Sequence, residues 1–117
     1  MPARVLIADD HKAMRRAIRN LLESSVEICG EAADGRQAVE QVRALHPDLI
    51  ILDLDMPVMN GYLAATEIRQ ISPSTKIVFF SVLDGSAGAR LFGAELFVPK
   101  SNGAKELLPA IQRLIAP

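Results

Sequence analysis

Three short, unbroken apolar runs constrain this chain more than any other feature: Val5-Leu6-Ile7-Ala8, Leu49-Ile50-Ile51-Leu52 and Ile77-Val78-Phe79-Phe80. They are rich in β-branched and aromatic side chains and lack the alternation of a half-exposed strand. Such runs suit strands buried on both faces of a parallel sheet. Glu27-Ile28-Cys29-Gly30-Glu31 and Glu95-Leu96-Phe97-Val98 are weaker strand candidates.

Helical periodicity fills the intervals. Met14, Ala17, Ile18, Leu21 and Leu22 follow an i, i+3, i+4, i+7, i+8 pattern and predict one apolar stripe. Asp34-Gly35-Arg36-Gln37 reads as a capping box opening a helix through His46, with Pro47 as its stop. Ala64, Ile68 and Ile71 mark a third helix closed by Ser72-Pro73, and Leu107, Leu108, Ile111, Leu114 and Ile115 mark the last. Pro109 falls inside that last stripe, where loss of a hydrogen bond predicts a kink. Five strands alternating with helices predict an α/β fold, an open (βα)5 parallel sheet covered on both sides.

With 117 residues, 50% of them hydrophobic and 23% charged, the chain reads as one globular domain over 1–117 with no linker, repeat or low-complexity stretch. A net charge of -1 argues against a nucleic-acid surface, since phosphate binding leaves a basic excess. The single cysteine, Cys29, excludes an intramolecular disulfide. No apolar run approaches the ~20 residues of a membrane span, and the first residues do not form a signal peptide. These features predict a cytoplasmic protein with no membrane partner.

Polar residues fall where the strands end. Strand one runs into Asp9-Asp10, strand three into Asp53, strand four into Ser81, and strand five is followed by Lys100. Singly, each has an ordinary explanation as a helix cap, a solvated charge or a turn hydroxyl. Together they converge on the rim where open α/β sheets place their ligands, outside the carboxyl ends of the strands. Three close carboxylates raise one another's pKa unless a cation neutralises them. Mg2+ suits that task because it prefers oxygen ligands and is held by one or two carboxylates plus phosphate oxygens. One carboxylate is then free to attack phosphorus, as in aspartyl-phosphate chemistry, with Lys100 neutralising the transferring group.

On these residues the chain resembles the receiver domain of two-component response regulators over essentially its whole length. The phrases Ile7-Ala8-Asp9-Asp10-His11, Gly30-Glu31-Ala32-Ala33-Asp34-Gly35 and Asp53-Leu54-Asp55-Met56-Pro57-Val58-Met59-Asn60-Gly61 look most like the LuxR-type subfamily, whose members carry a C-terminal helix-turn-helix output domain. The resemblance implies a flavodoxin-like, doubly wound sheet of strand order 2-1-3-4-5. It implies that Asp53 accepts a phosphoryl group from a sensor histidine kinase. Asp10 and Asp53 would ligate Mg2+ or Mn2+ directly, with the backbone carbonyl of Asp55, and Asp9 would act through a metal-bound water. Ser81 and Lys100 would bind the phosphoryl oxygens, and Phe97 falls at the family's switch aromatic. His11 is read as beginning the first helix beside the site. A C-terminal DNA-binding output domain and a phosphorylation-linked homodimer are further partners the resemblance implies. Such a domain modifies only itself and is not an enzyme acting on other substrates. Favouring one state from 1:99 to 99:1 takes about 5.5 kcal/mol, and two charge-assisted hydrogen bonds at roughly 1.5–3 kcal/mol each supply much of it.

Three features depart from the family. The segment from Val82 to Pro99 is about three residues short, nearly one helical turn, and contains Gly85, Gly88 and Gly93. The fourth helix is therefore expected to be short, frayed or absent. Ser101 rather than proline follows Lys100, which predicts a trans bond there. Asp55 adds a fourth carboxylate that reads either as a solvated loop charge or as a modifier of metal affinity and phosphoryl lifetime. The shortened helix favours an alternative reading as an unswitched scaffold. The Asp53-Leu54-Asp55 spacing also fits a small aspartate-dependent phosphohydrolase, although those enzymes carry the motif on the first strand and have a substrate cap.

Overall fold

The computed structural model describes residues 2–115. Five parallel strands, β1 (Arg4–Ala8), β2 (Glu27–Ala32), β3 (Leu49–Leu52), β4 (Lys76–Ser81) and β5 (Leu96–Pro99), lie in the order 2-1-3-4-5. They alternate with α1 (Lys12–Leu22), α2 (Gly35–Leu45), α3 (Gly61–Ile71), α4 (Ser86–Leu91) and α5 (Leu107–Ile115) in the flavodoxin-like arrangement. Short 3-10 turns at Lys100–Asn102 and Ala104–Glu106 link β5 to α5.

The unbroken apolar runs follow from two cores. Successive side chains of a strand point to opposite faces. Leu6, Ile50, Leu52, Ile77 and Phe79 pack on one face with Val39 and Val42 of α2 and Ala64, Ala65 and Ile68 of α3. Val5, Ile7, Leu49, Ile51, Val78 and Phe80 pack on the other with Ile18 and Leu22 of α1 and Leu107, Ala110 and Ile111 of α5. Every residue of β3 is therefore buried. The weaker β2 is the edge strand, and its register against β1 shifts so that Val5 pairs with Ile28 but Leu6 with Gly30.

The helix boundaries have local causes. Asp34 Oδ1 accepts from Gln37 N at 2.8 Å and Asn60 Oδ1 from Leu63 N at 3.0 Å, each satisfying a free amide at a helix start. The return bond of the capping box shifts by one residue, with Gln37 Oε1 accepting from Ala33 N at 2.8 Å. His46 closes α2 in the left-handed region at φ 47°.

Three details differ from the sequence expectation or sharpen it. The α1 stripe is narrower than its periodicity suggests. Ile18 and Leu22 are buried and Met14 half-buried, whereas Ala17 and Leu21 are exposed. Only the row of Met14, Ile18 and Leu22 packs into the core on that face of the sheet. Pro109 produces no interruption of α5, because it is the third residue of the helix, where an amide has no partner within the helix. The fourth helix is short, as expected, with six residues. A Cβ on Gly88 would come 2.2 Å from Tyr62 Cε1, so the absent side chain lets α4 seat on the Tyr62 ring. The Tyr62 ring in turn lies tilted by 40° to Phe92 at a centre-to-centre distance of 4.9 Å and meets Phe79 edge-on at 5.5 Å.

Candidate functional site

The ends of four strands bring the polar residues together. Asp9 follows β1, with its N–H donating to Ala32 O on β2 at 3.0 Å, and Asp53 follows β3, with its N–H donating to Ala8 O at 3.0 Å. These bonds continue the ladder past the strands and hold both aspartates at the sheet rim. Both are buried, Asp9 at 1% and Asp53 at 3% exposure.

Lys100 closes the site. Its Nζ lies 2.7 Å from Asp9 Oδ2 and 3.0 Å from Asp53 Oδ2, and 5.8 Å from the centre of the Phe80 ring. Burial works against the ammonium charge, but the hydrogen bonds and attraction of Asp9 and Asp53 outweigh it and raise its pKa above the ordinary lysine value. The peptide bonds of the described residues, Lys100-Ser101 included, are trans.

Asp10 sits on the solvent side of the rim. One ligand atom from each of Asp9, Asp10, His11 and Asp53 lies within 4.8 Å of the others. Three carboxylates at this spacing form the hard-oxygen donor set that Mg2+ takes. His11 is the residue before α1, and its Nδ1 lies 3.0 Å from Asp10 Oδ1 and 3.4 Å from Asp9 Oδ1. Ser81, the last residue of β4, is fully buried, and its Oγ accepts from Leu83 N at 3.3 Å, leaving the hydroxyl proton free to donate. Asp55 is exposed, and its N–H donates to Asp53 Oδ1 at 3.3 Å. Phe97 is half-buried on β5 and packs against the core shared with α2 and α3, bordering Gly85.

Two groups that the strand-end argument does not reach also meet the site. Arg15 on α1 donates from a terminal guanidinium nitrogen to Asp9 O at 2.6 Å and from Nε to Glu31 Oε1 at 2.9 Å. Glu31 pairs through its other oxygen with Arg19. The four-residue step from Arg15 to Arg19, on one side of α1, was the only sequence trace of this bracket. Its acidic partner, Glu31, is on β2.

The model of the response regulator receiver domain matches residues 5–112. The chain belongs to that family. A protein-glutamate methylesterase/protein-glutamine glutaminase of Methanosarcina mazei is 42% identical over 95% of this chain and 35% of its own length. The nitrate/nitrite response regulator protein NarL of Escherichia coli is 36% identical over 98% of this chain and 56% of its own length. The solved response regulator domain of Thermotoga maritima CheB superposes with a TM-score of 0.89 at 30% identity, covering both chains in full. This receiver chain thus spans between about a third and somewhat over half of those curated relatives. One is a methylesterase and the other a nitrate/nitrite response regulator, so family membership stands above any one subfamily.

Proposed function

We propose that this receiver, one domain over residues 1–117, takes a phosphoryl group onto Asp53 from the phosphohistidine of a sensor kinase. The observation that carries the reading is Lys100 Nζ bridging buried Asp9 and Asp53 at 2.7 and 3.0 Å, beside the exposed Asp10. A carboxylate oxygen of Asp53 forms the new P–O bond as the P–N bond to the donor imidazole breaks, and the imidazole leaves with the bonding pair. Lys100 then turns its charge from the Asp53 carboxylate to the phosphoryl oxygens. Ser81 donates its free hydroxyl proton to another of them.

Asp10, Asp53 and the Asp55 carbonyl would hold Mg2+ or Mn2+ directly and Asp9 through water, the ion neutralising charge on the phosphoryl group. Movement of Ser81 towards the phosphoryl group draws the loop into α4 with it, and Phe97 beside Gly85 is placed to follow. The face formed by α4, β5 and α5 then carries the change to an output. The Asp9-Asp10-His11 phrase, which resembles the LuxR-type subfamily, favours a C-terminal DNA-binding output, with homodimerisation as its companion.

Intact mass after incubation with Mg2+ and acetyl phosphate tests the reading. One added phosphoryl group, lost in Asp53→Asn and without Mg2+, is expected. No gain in folded protein would instead support an unswitched scaffold, and continued turnover of the donor without retained phosphate would support a phosphohydrolase.

A further inference from the structure

The Arg15 bracket has a role that the phosphoacceptor chemistry does not use directly. We propose that Arg15, held by Glu31, is a positioning residue that sets the affinity of the acid pair for its divalent cation. This rests on the reading of the rim as a cation-dependent phosphoacceptor site.

The loop Asp9-Asp10-His11 has few fixed points. Asp9 N–H is tied to Ala32 O, and Asp9 Oδ1 accepts from His11 N at 2.9 Å. The carbonyl of Asp9 belongs to the peptide that leads into Asp10, so its direction sets where the Asp10 side chain leaves the backbone. Arg15 holds that carbonyl at 2.6 Å. The guanidinium cannot swing away, because Nε is bonded to Glu31 Oε1 and the side chain is 15% exposed. Glu31 is itself pinned by Arg19, with Nε at 2.9 Å and a terminal nitrogen at 2.7 Å. Burial works against the Glu31 charge, but Arg19 and Arg15 outweigh it and lower its pKa, so the bracket stays charged at neutral pH. The planar fork of arginine is what allows one side chain to serve a carboxylate and a carbonyl together.

Positioning and simple charge predict opposite signs. As a bare positive charge beside three carboxylates, Arg15 competes with a cation, and its removal tightens binding. As a positioning residue its removal loosens binding, and partners that orient a ligand without touching the metal typically change affinity by about 10–100-fold.

The test is calorimetric titration of Mg2+ into the wild type, Arg15→Ala, Arg15→Lys, Glu31→Ala and the Arg15→Ala/Glu31→Ala pair, with metal-free urea unfolding of each as the fold control. Arg15→Ala and Arg15→Lys are both expected to weaken Mg2+ by about tenfold, the low end of that range because the bond is to a backbone carbonyl. Glu31→Ala should weaken it less, and the double variant should match Arg15→Ala. Arg15→Lys binding like the wild type, or Arg15→Ala binding equally or more tightly, would overturn the inference while leaving the phosphoacceptor reading intact. If Arg15→Ala does not fold, Arg15→Lys and Glu31→Ala decide the matter by the same signs. A wild type that binds no Mg2+ would refute the phosphoacceptor reading and this inference with it.

Discussion

Replacing Lys100 with methionine keeps a stem of similar length and removes one charge from between two carboxylates. At 2.7 and 3.0 Å, and an effective dielectric near 20, each contact contributes about 5–6 kcal/mol before desolvation. Desolvation of three groups offsets much of this, and breaking buried pairs by removing one partner costs about 3–5 kcal/mol. The residual exposures of Asp9 and Asp53, 1% and 3%, leave little room for water to replace the ammonium. Urea unfolding at pH 7 without metal should therefore show Lys100→Met less stable by about 3 kcal/mol. Mg2+ should restore more stability to the variant than to the wild type, because the variant has the larger unneutralised charge. The pH dependence has a definite sign. The folded pKa of Lys100 is raised, so its contribution is complete below the ordinary lysine value of 10.5 and is lost as pH rises through the folded value. The gap between wild type and variant should stay level from pH 7 to about 10 and close above that. A deficit below about 1 kcal/mol at pH 7, the level of an exposed pair, would refute the argument.

Three further substitutions test how the fold positions the site. A Cβ at Gly61 would lie 2.2 Å from Asp53 O and 2.8 Å from Leu54 Cα, both backbone. Gly61→Ala should thus cost about 1–3 kcal/mol in chemical unfolding and slow phosphoryl uptake at Asp53, as read by intact mass. Gly88→Ala gains about 1 kcal/mol of helix propensity but drives a methyl into the Tyr62 ring, so it should destabilise the wild type and stabilise a Tyr62→Leu background in a double-mutant cycle. Val58 has φ 69° and is 80% exposed, with Met59 N bonded to Pro57 O across it at 2.7 Å. Val58→Gly should relieve this left-handed strain and raise stability by about 1 kcal/mol in thermal unfolding, and no gain would show that the loop does not store it.

Much of the site was legible because a parallel sheet gathers its ligand groups at one rim. Asp9, Asp10, Asp53, Ser81 and Lys100 each stand at or just after the end of an apolar run, and the rule that strand ends converge needs only the runs. The short α4 was legible from glycine content and segment length. Arg15 was not, because its partners lie on the peptide of Asp9 and on β2, and α1 offers three arginines, Arg15, Arg16 and Arg19, with nothing in the local pattern to choose between them. The exposure of Ala17 and Leu21 was hidden for a similar reason. Periodicity reports a stripe of apolar residues, while the width actually buried depends on how far the neighbouring elements extend over it.

The division has a physical basis. Hydrophobic period, capping residues and the punctuation of glycine and proline act within a few residues, so the sequence by itself determined the strands, the helices, the α/β class and the list of rim residues. Distances between groups far apart in the chain arise only when the sheet forms. Tertiary structure alone decided that Lys100 spans Asp9 and Asp53, that Gly61 and Gly88 are close-approach points, and that Arg15 grips the Asp9 carbonyl. Each of these depends on packing to within an ångström, a precision that side-chain volume and backbone register supply and local pattern does not.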